Sequence, residues 1–190
     1  MNENKLIKIL AISGSLRTDS SNTVILKTIV NLAPANVQVD IFNGLAALPF
    51  FSPELDIENS SISVTTLRKL ITEADGVLIS TPEYAFGVPG VLKNALDWLV
   101  SSGELNEKPV YSISASPLNS AGEKALASLL LTLTALGTLK VGSLSIANIK
   151  NKIDTNKKIT DKEILKDLKA VLGSLISSIN DNRKQNIDHG

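Results

Sequence analysis

Residues 13–22 read Ser13-Gly14-Ser15-Leu16-Arg17-Thr18-Asp19-Ser20-Ser21-Asn22 and join a short apolar run to an amphipathic segment. The apolar run, residues 6–12, is typical of a buried strand that enters a tight turn. The segment after the turn extends from Ser20 or Ser21 to about Ala33 with apolar residues at helical spacing. Hydroxyl and carboxylate side chains at 19–21 can cap its start. We therefore predict a strand, a tight turn and a helix.

The same alternation continues along the chain. We predict further strands over residues 37–42, 76–81, 109–115 and 140–147, and further helices over residues 64–74, 89–100 and 121–136. Strands with little polar alternation, such as Val77-Leu78-Ile79, are typical of a parallel sheet that helices cover on both faces. Five strand-helix units thus predict an α/β fold with a doubly wound parallel sheet.

A final helix opens at Thr160-Asp161-Lys162-Glu163, which matches a capping box. Its apolar stripe consists of Ile164, Leu165, Leu168, Leu172, Leu175, Ile176 and Ile179. Two connections are unusually long. Residues 43–62 are expected to pack as an ordered loop, because they include Leu45, Leu48, Phe50 and Phe51, whereas residues 148–159 are polar, rich in lysine and expected to be exposed.

Composition limits the chemistry of the side chains. The 190 residues suit a single domain over residues 1–190, and 19 basic and 19 acidic side chains leave no net charge to attract nucleic acid or an acidic membrane. The chain has no cysteine, and its one histidine, His189, adjoins the C-terminal residue, so thiol, zinc and Ser-His-Asp chemistry are disfavoured. The first apolar run is too short to span a membrane. We expect a soluble cytoplasmic protein with small-molecule or subunit partners.

The turn after the first strand has the chemistry of an anion site. Free N–H groups at the helix start, the hydroxyls of Ser15 and Ser20, the Asn22 amide and the Arg17 guanidinium suit a phosphate. On composition alone, a serine-rich turn with a helix cap and a surface arginine is slightly favoured over a phosphate site. Asp19 would repel a phosphate unless it points outward or caps the helix. The turn matches neither G-x-G-x-x-G nor G-x-x-x-x-G-K-[ST], which disfavours a dinucleotide site and a P-loop.

A second polar loop follows the third strand. It reads Thr81-Pro82-Glu83-Tyr84-Ala85-Phe86-Gly87-Val88-Pro89-Gly90 and leads into Val91-Leu92-Lys93-Asn94-Ala95-Leu96-Asp97-Trp98. Two prolines and two glycines make a stiff loop whose backbone can lie against a flat ring. In an open doubly wound sheet, ligands bind beyond the carboxyl ends of the strands, where both loops begin.

In this order the two segments resemble the NADPH-dependent FMN reductase family, which includes small quinone, azo and chromate reductases. The family signatures are G-S-x-R-x-x-S-x-N after the first strand and T-P-E-Y-x-x-x-x-P-G-x-L-K-N-A-x-D-W after the third, and this chain meets every fixed position. The loop Leu48-Pro49-Phe50-Phe51-Ser52-Pro53-Glu54-Leu55 is also similar, so the resemblance covers most of residues 6–147.

The resemblance implies a flavodoxin-like three-layer sandwich, with a five-stranded parallel sheet of order 2-1-3-4-5 and helices on both faces. It also implies FMN as cofactor. The phosphate contacts would come from Ser15, Arg17, Ser20 and Asn22, and the isoalloxazine contacts from Pro82, Glu83, Tyr84 and a third loop that contains Ser116. That third loop, residues 115–122, departs from the glycine-rich form of many relatives and carries Leu118 and Asn119.

The implied activity is a ping-pong oxidoreduction from NADH or NADPH, through FMN, to a quinone, azo compound, nitro compound, metal oxyanion or free flavin. Hydride transfer through flavin N5 needs no catalytic side chain, so Glu83 is interpreted as a positioning residue or a subunit contact. Members of the family associate through the helix after this loop, which predicts a homodimer or homotetramer with Trp98 at the interface. The role of Phe86 stays open.

Two other functions fit the same fold. A flavodoxin-like electron carrier would bind FMN but act by docking to protein partners. Such carriers are commonly strongly acidic, and this chain is neutral, so the carrier ranks below the enzyme. A phosphorylatable receiver needs acidic residues after the first and third strands, where this chain has Ser13-Gly14-Ser15 and Thr81-Pro82.

Overall fold

The computed structural model describes residues 6–56 and 61–188, with side chains to residue 185. Its strands are β1 (Ile7–Ser13), β2 (Val37–Phe42), β3 (Gly76–Thr81), β4 (Pro109–Ala115) and β5 (Leu139–Ile146). Its α-helices are α1 (Ser21–Leu32), α2 (Ile62–Glu73), α3 (Gly90–Asp97), α4 (Glu123–Ala135) and α5 (Lys162–Asp188). His189, which the sequence places in a polar tail, lies outside the described residues.

The five strands form one parallel sheet in the order β2-β1-β3-β4-β5, which confirms the predicted topology. Helices α1 and α5 cover one face and α2, α3 and α4 cover the other, so a hydrophobic core lies on each side of the sheet. β3 is buried at every position, as expected for a central parallel strand without polar alternation. The chain leaves β1 towards β2 on one side and later reaches β3 on the other. The carboxyl ends of β1 and β3 therefore flank the topological switch point.

Most predicted bounds agree with the structure within two residues, and the differences have local causes. Helix α4 begins at Glu123, because Ala121 and Gly122 both have positive φ (54° and 77°) and cannot belong to a right-handed helix. Helix α3 ends at Asp97, three residues earlier than predicted. The carbonyl of Trp98 accepts hydrogen bonds from Nη2 and Nε of Arg68 at 2.6 and 3.2 Å, which competes with further helical bonding.

Helix α5 begins close to the predicted start, but its cap differs. The helix starts at Lys162, and the Oδ1 atom of Asp161 accepts the Ile164 N–H at 3.0 Å, so Asp161 and not Thr160 caps it. The predicted stripe faces the core, with Ile164, Leu168, Leu172, Leu175 and Ile179 buried.

Both long connections contain buried anchors. In the first, Leu45 and Leu48 are buried as predicted, but Phe50 is 89% exposed. The second was expected to be exposed, and six of its twelve residues are. Its ends are held, however, because Ile149 and Ile159 are buried in the core on the α1 and α5 face.

Trp98 is a core residue, so its predicted place at a subunit interface is wrong. Its side chain has no exposed surface, and its Nε1–H donates to the carbonyl of Pro49 at 2.9 Å. Its ring meets that of Phe51 edge to face, with centroids 5.2 Å apart. The indole therefore holds the loop after β2 against α3. None of the helices in the described part of the chain is long and apolar enough to cross a membrane.

Candidate functional site

The β1–α1 turn is held tightly against β3. The Gly14 N–H donates to the Ser80 carbonyl at 2.8 Å. A Cβ at Gly14 would stand 3.0 Å from Cδ2 of Leu92 and 3.1 Å from Oγ1 of Thr81, so a side chain there would push the turn away from the sheet. The glycine thus allows the close approach that brings residues 15–22 to the end of β3.

Two serine hydroxyls of this turn can donate to a ligand. Ser15 and Ser20 are buried to 9% and 4% exposure, and their oxygens accept the N–H groups of Arg17 and Asn22, each at 3.3 Å. Because each oxygen accepts these bonds, its own hydrogen remains available as a donor. Ser20 is also the N-cap of α1, so the hydroxyls lie beside the unpaired N–H groups and positive end of that helix.

Arg17 supplies positive charge without a partner carboxylate. Its side chain is exposed, and it forms no ion pair or side-chain hydrogen bond with any residue in the ranges 6–56 and 61–185. Asp19 is turned to Lys157, with Oδ2 and Nζ 3.3 Å apart. The carboxylate that could repel an anion in this turn is therefore neutralised by a lysine from the β5–α5 connection.

Asn22 differs from the other predicted phosphate ligands, because its amide is already bonded to two neighbouring strands. It is 2% exposed, accepts the Ser80 hydroxyl at 2.8 Å through Oδ1, and donates through Nδ2 to the Ala115 carbonyl at 3.4 Å. One Nδ2 hydrogen remains for a ligand. Asn22 therefore links the start of α1 to the ends of β3 and β4.

The loop after β3 contains a strained hairpin turn. Tyr84 and Gly87 exchange both backbone hydrogen bonds, at 3.1 and 2.9 Å, and the two residues between them, Ala85 and Phe86, have φ of 49° and 60°. A two-residue turn with two positive φ values ordinarily takes Asn or Gly. Here it leaves Phe86 79% and Tyr84 50% exposed beside the end of β3.

Glu83 joins this loop to helix α4. Its Oε2 atom accepts the Ala125 N–H at 3.0 Å in the first turn of α4, where the N-cap residue is Gly122 and has no side chain to offer. Gly122 also lies close to Ser114 and Glu83, at 3.2 and 3.6 Å from where its Cβ would be. Glu83 therefore supplies the capping carboxylate from another loop.

Hydrogen bonds hold the third loop, residues 115–122, in place. Ser116 is 5% exposed, its hydroxyl accepts the Leu118 N–H at 3.1 Å, and its carbonyl accepts the Ile149 N–H at 3.1 Å. Asn119 accepts from Nδ2 of Asn148 at 2.8 Å. The β4–α4 and β5–α5 connections are thus bound to one another.

All eight predicted cofactor residues line one groove of about 180 Å³ beyond the carboxyl ends of β1, β3 and β4. They are Ser15, Arg17, Ser20, Asn22, Pro82, Glu83, Tyr84 and Ser116. A second depression of about 340 Å³ shares Arg17 and Tyr84 as walls and is otherwise lined by residues such as Leu16 and Pro89. The combined concavity is polar at the α1 end and apolar beyond Tyr84, which suits a ligand with a phosphate and a flat ring.

Sequence reasoning missed the contribution of the β5–α5 connection. Ile149 and Lys150 also line the groove, as do Ser21, Pro117 and Leu118. The lysine-rich composition of residues 148–159 indicated an exposed segment, and Lys150 is exposed. No local pattern, however, says which sheet edge such a segment borders.

The strand order and the position of the groove define the fold class of this protein. An open parallel sheet of order 2-1-3-4-5 with a groove at its switch point is a flavodoxin-like fold. The model of the NADPH-dependent FMN reductase family matches residues 7–151, so the chain belongs to this family.

Proteins of similar sequence are also reductases of this kind. A quinone reductase of Escherichia coli strain K12 is 38% identical over 94 residues, which are 49% of this chain and 50% of that protein. An NAD(P)H-dependent FMN reductase of Pseudomonas aeruginosa is 34% identical over 112 residues, which are 58% of this chain and 60% of that protein. The chain spans about half the length of the first of these relatives.

Among solved structures, the flavoenzyme NAD(P)H:(acceptor) oxidoreductase FerB from Paracoccus denitrificans is similar over almost its whole length. The TM-score is 0.79 at 27% identity, over 93% of this chain and 98% of that one.

Proposed function

We propose that this protein is an FMN-dependent NAD(P)H oxidoreductase that reduces a small acceptor: a quinone, an azo or nitro compound, a metal oxyanion or free flavin. The observation that carries the proposal is the meeting of eight residues from three separate loops in one groove, with an unpaired Arg17 at the end that α1 approaches. The activities for which the relatives are named, quinone reductase and FMN reductase, support the same reaction class.

The groove fits the cofactor by the chemistry of its donors. Ser15, Ser20 and Arg17 would hold the phosphate together with the first N–H groups of α1, since hydroxyl, guanidinium and helix N-terminus all favour an anion. Asn22 would act mainly by keeping the loops in register. Pro82, Tyr84 and the backbone at Glu83 would lie along the flat ring, with Ser116 on the other side.

When bound, FMN would supply the redox chemistry for a ping-pong transfer of reducing equivalents from the nicotinamide to the acceptor. The protein contributes orientation, and no side chain is assigned a catalytic role. The half-exposed Tyr84 and the exposed Leu118 border the groove and offer apolar surface on which a planar acceptor can stack.

The proposal is tested by flavin binding followed by turnover. Purified protein should bind FMN with quenching of its fluorescence and then oxidise NADH or NADPH in the presence of a quinone. Protein that neither binds FMN nor oxidises either nicotinamide would refute it. A comparison of both nicotinamides with a quinone, an azo dye and free FMN ranks the acceptors. Rapid flavin bleaching by NADPH without a partner reductase separates the enzyme from an electron carrier.

We also propose that the protein assembles as a homodimer or homotetramer in the cytoplasm, where its nicotinamide donors are found. Large apolar side chains around α3 support association: Phe50, Phe86 and Val100 are 89%, 79% and 63% exposed. Phe86 lies in the loop after β3, which also lines the groove. Light scattering of the purified protein should give at least twice the 20.2 kDa chain mass. A shift towards that chain mass is expected for Phe50→Ser, and a monomeric parent protein would contradict the assembly.

A further inference from the structure

Lys150 is held at the groove by a rigid segment. It belongs to the short 3-10 turn Ile149–Lys152 after β5, in which Ile149 is 1% exposed and donates its N–H to the Ser116 carbonyl at 3.1 Å. Asn148 enters this turn with φ of 53° and bonds Asn119 through its side chain. The backbone at Lys150 is therefore fixed relative to the third loop, although the side chain is exposed.

Lys150 has no carboxylate partner among the described residues that line the groove. Lys150 forms no ion pair with the residues whose side chains the structure describes, whereas Lys157 of the same connection is paired with Asp19. The only carboxylate among the described groove-lining residues is Glu83, which is bonded to the Ala125 N–H. Arg17 and Lys150 thus give the groove two unpaired cations from two different connections.

Two cations match the charge of a phosphate monoester. Such a group carries about −1.5 to −2 charges at pH 7, so Arg17 alone would neutralise only part of it. The end of α1 contributes roughly half a positive charge. A second full charge from the β5–α5 connection would complete the neutralisation.

We propose that Lys150 is a second cationic contact to the phosphate of bound FMN. This inference rests on the proposed function. The sequence signature places all the phosphate ligands between Ser15 and Asn22. Lys150 lines the same groove from the β5–α5 connection, which the signature does not include. Because its side chain is exposed, its contribution should weaken as salt screens it.

The experiment compares FMN with riboflavin, which lacks the phosphate, by fluorescence quenching. For Lys150→Gln we expect FMN affinity to fall about 5- to 20-fold at low salt, because a charge-assisted contact is lost, and riboflavin affinity to change less than about 2-fold. Lys150→Arg should retain most of the FMN affinity. Lys152→Gln, in the same turn but outside the groove lining, is the matched control and should bind FMN as the parent does.

Each outcome decides the inference. Equal FMN affinity in Lys150→Gln and parent overturns it, as does an equal loss for FMN and riboflavin, which would indicate a structural effect. Unchanged FMN affinity with a raised KM for NADPH but not NADH would assign Lys150 to the nicotinamide phosphate instead and also overturn it. A parent protein that binds neither flavin would refute the proposed function itself, which a defect confined to Lys150→Gln would not do.

Discussion

The carboxylate of Glu83 caps helix α4 by accepting the N–H of Ala125 at 3.0 Å, across 42 residues of sequence. This bond joins the loop after β3, which lines the groove, to the helix after β4. A residue that the family signature would assign to the cofactor alone therefore also determines where the third loop lies.

Loss of the Glu83 carboxylate should destabilise the fold and weaken flavin binding together. Glu83→Ala removes the only side-chain cap that the described residues provide for α4 and is expected to lower the free energy of unfolding by about 0.5–2 kcal/mol. Glu83→Gln keeps an acceptor oxygen and should recover part of both losses. Urea unfolding and FMN titration measure the two effects. Glu123→Ala, which removes an exposed carboxylate from the same helix end, is the control, and an equal loss there would contradict a specific cap.

Arg17→Ala should weaken FMN binding without changing stability. The guanidinium has no partner among the described side chains, so its removal leaves no buried group unsatisfied, while it removes a charge-assisted contact worth roughly tenfold or more in affinity. Fluorescence quenching gives the dissociation constant, and thermal unfolding of the flavin-free protein checks the fold. Lys169→Ala, which removes an exposed cation on α5 that lines neither the groove nor the depressions beside Arg17, should leave FMN affinity unchanged. Parental affinity in Arg17→Ala would remove Arg17 from the site.

Asn22→Ala should act in the opposite way and reduce stability even without flavin. The change leaves the buried Ser80 hydroxyl and the Ala115 carbonyl without their partner, which should cost about 1–3 kcal/mol. Urea denaturation of the flavin-free protein measures this. Asn182→Ala, which removes an exposed hydrogen bond from the Asn182 side-chain amide to the Glu107 carbonyl, serves for comparison. It should reduce the free energy of unfolding by less. If the two variants were equally stable, Asn22 would not be the cross-link that its hydrogen bonds indicate.

Two serines of β4 should respond differently to alanine. The Ser112 hydroxyl is buried and has no hydrogen-bond partner among the described residues, whereas the Ser114 hydroxyl donates to the Ala121 carbonyl at 2.8 Å. Ser112→Ala relieves the desolvation of an unpaired polar group and should raise Tm by about 2–4 °C, as expected for a gain near 1 kcal/mol in a chain of this size. Ser114→Ala should lower Tm. Calorimetry of both variants tests the contrast, which a lower Tm for Ser112→Ala would reverse.

The ion pair between Asp56 and Arg68 should make stability fall in acid. Hydrogen bonds from Ser101 and then Arg68 hold the pKa of Asp56 below its ordinary value of 3.8. A carboxyl group with a lowered pKa in the folded state stabilises the fold above its unfolded pKa, and this contribution is lost as pH falls through the folded pKa. Asp56→Asn should therefore be less stable than the parent at pH 7, with a gap that narrows below pH 3.8. Urea unfolding of both proteins at pH 7 and below pH 3.8 measures the difference in their free energies of unfolding. A difference that does not change with pH would exclude the ionisation of Asp56 as its source.

The fold could be predicted well from sequence because its signals are local. Apolar runs predicted the bounds of β2, β3 and β4 to the residue. The errors occurred where a distant group decides a local structure. Helix α3 ends early because Arg68 of α2 donates hydrogen bonds to the Trp98 carbonyl. Trp98 is buried because its side chain contacts Pro49 and Phe51 of the loop after β2.

The sequence by itself determined the order of strands and helices and the family, and it located the turn proposed to bind an anion, since each depends on residues close together in the chain. Only the tertiary structure decided that Asn22 bridges β3 and β4, that Glu83 caps α4, and that Lys150 borders the same groove as Arg17. The physical reason is the strand order. Placing β3 and β4 beside β1 brings together loops that are far apart in sequence, and hydrogen bonds between those loops then fix which polar groups remain free for a ligand.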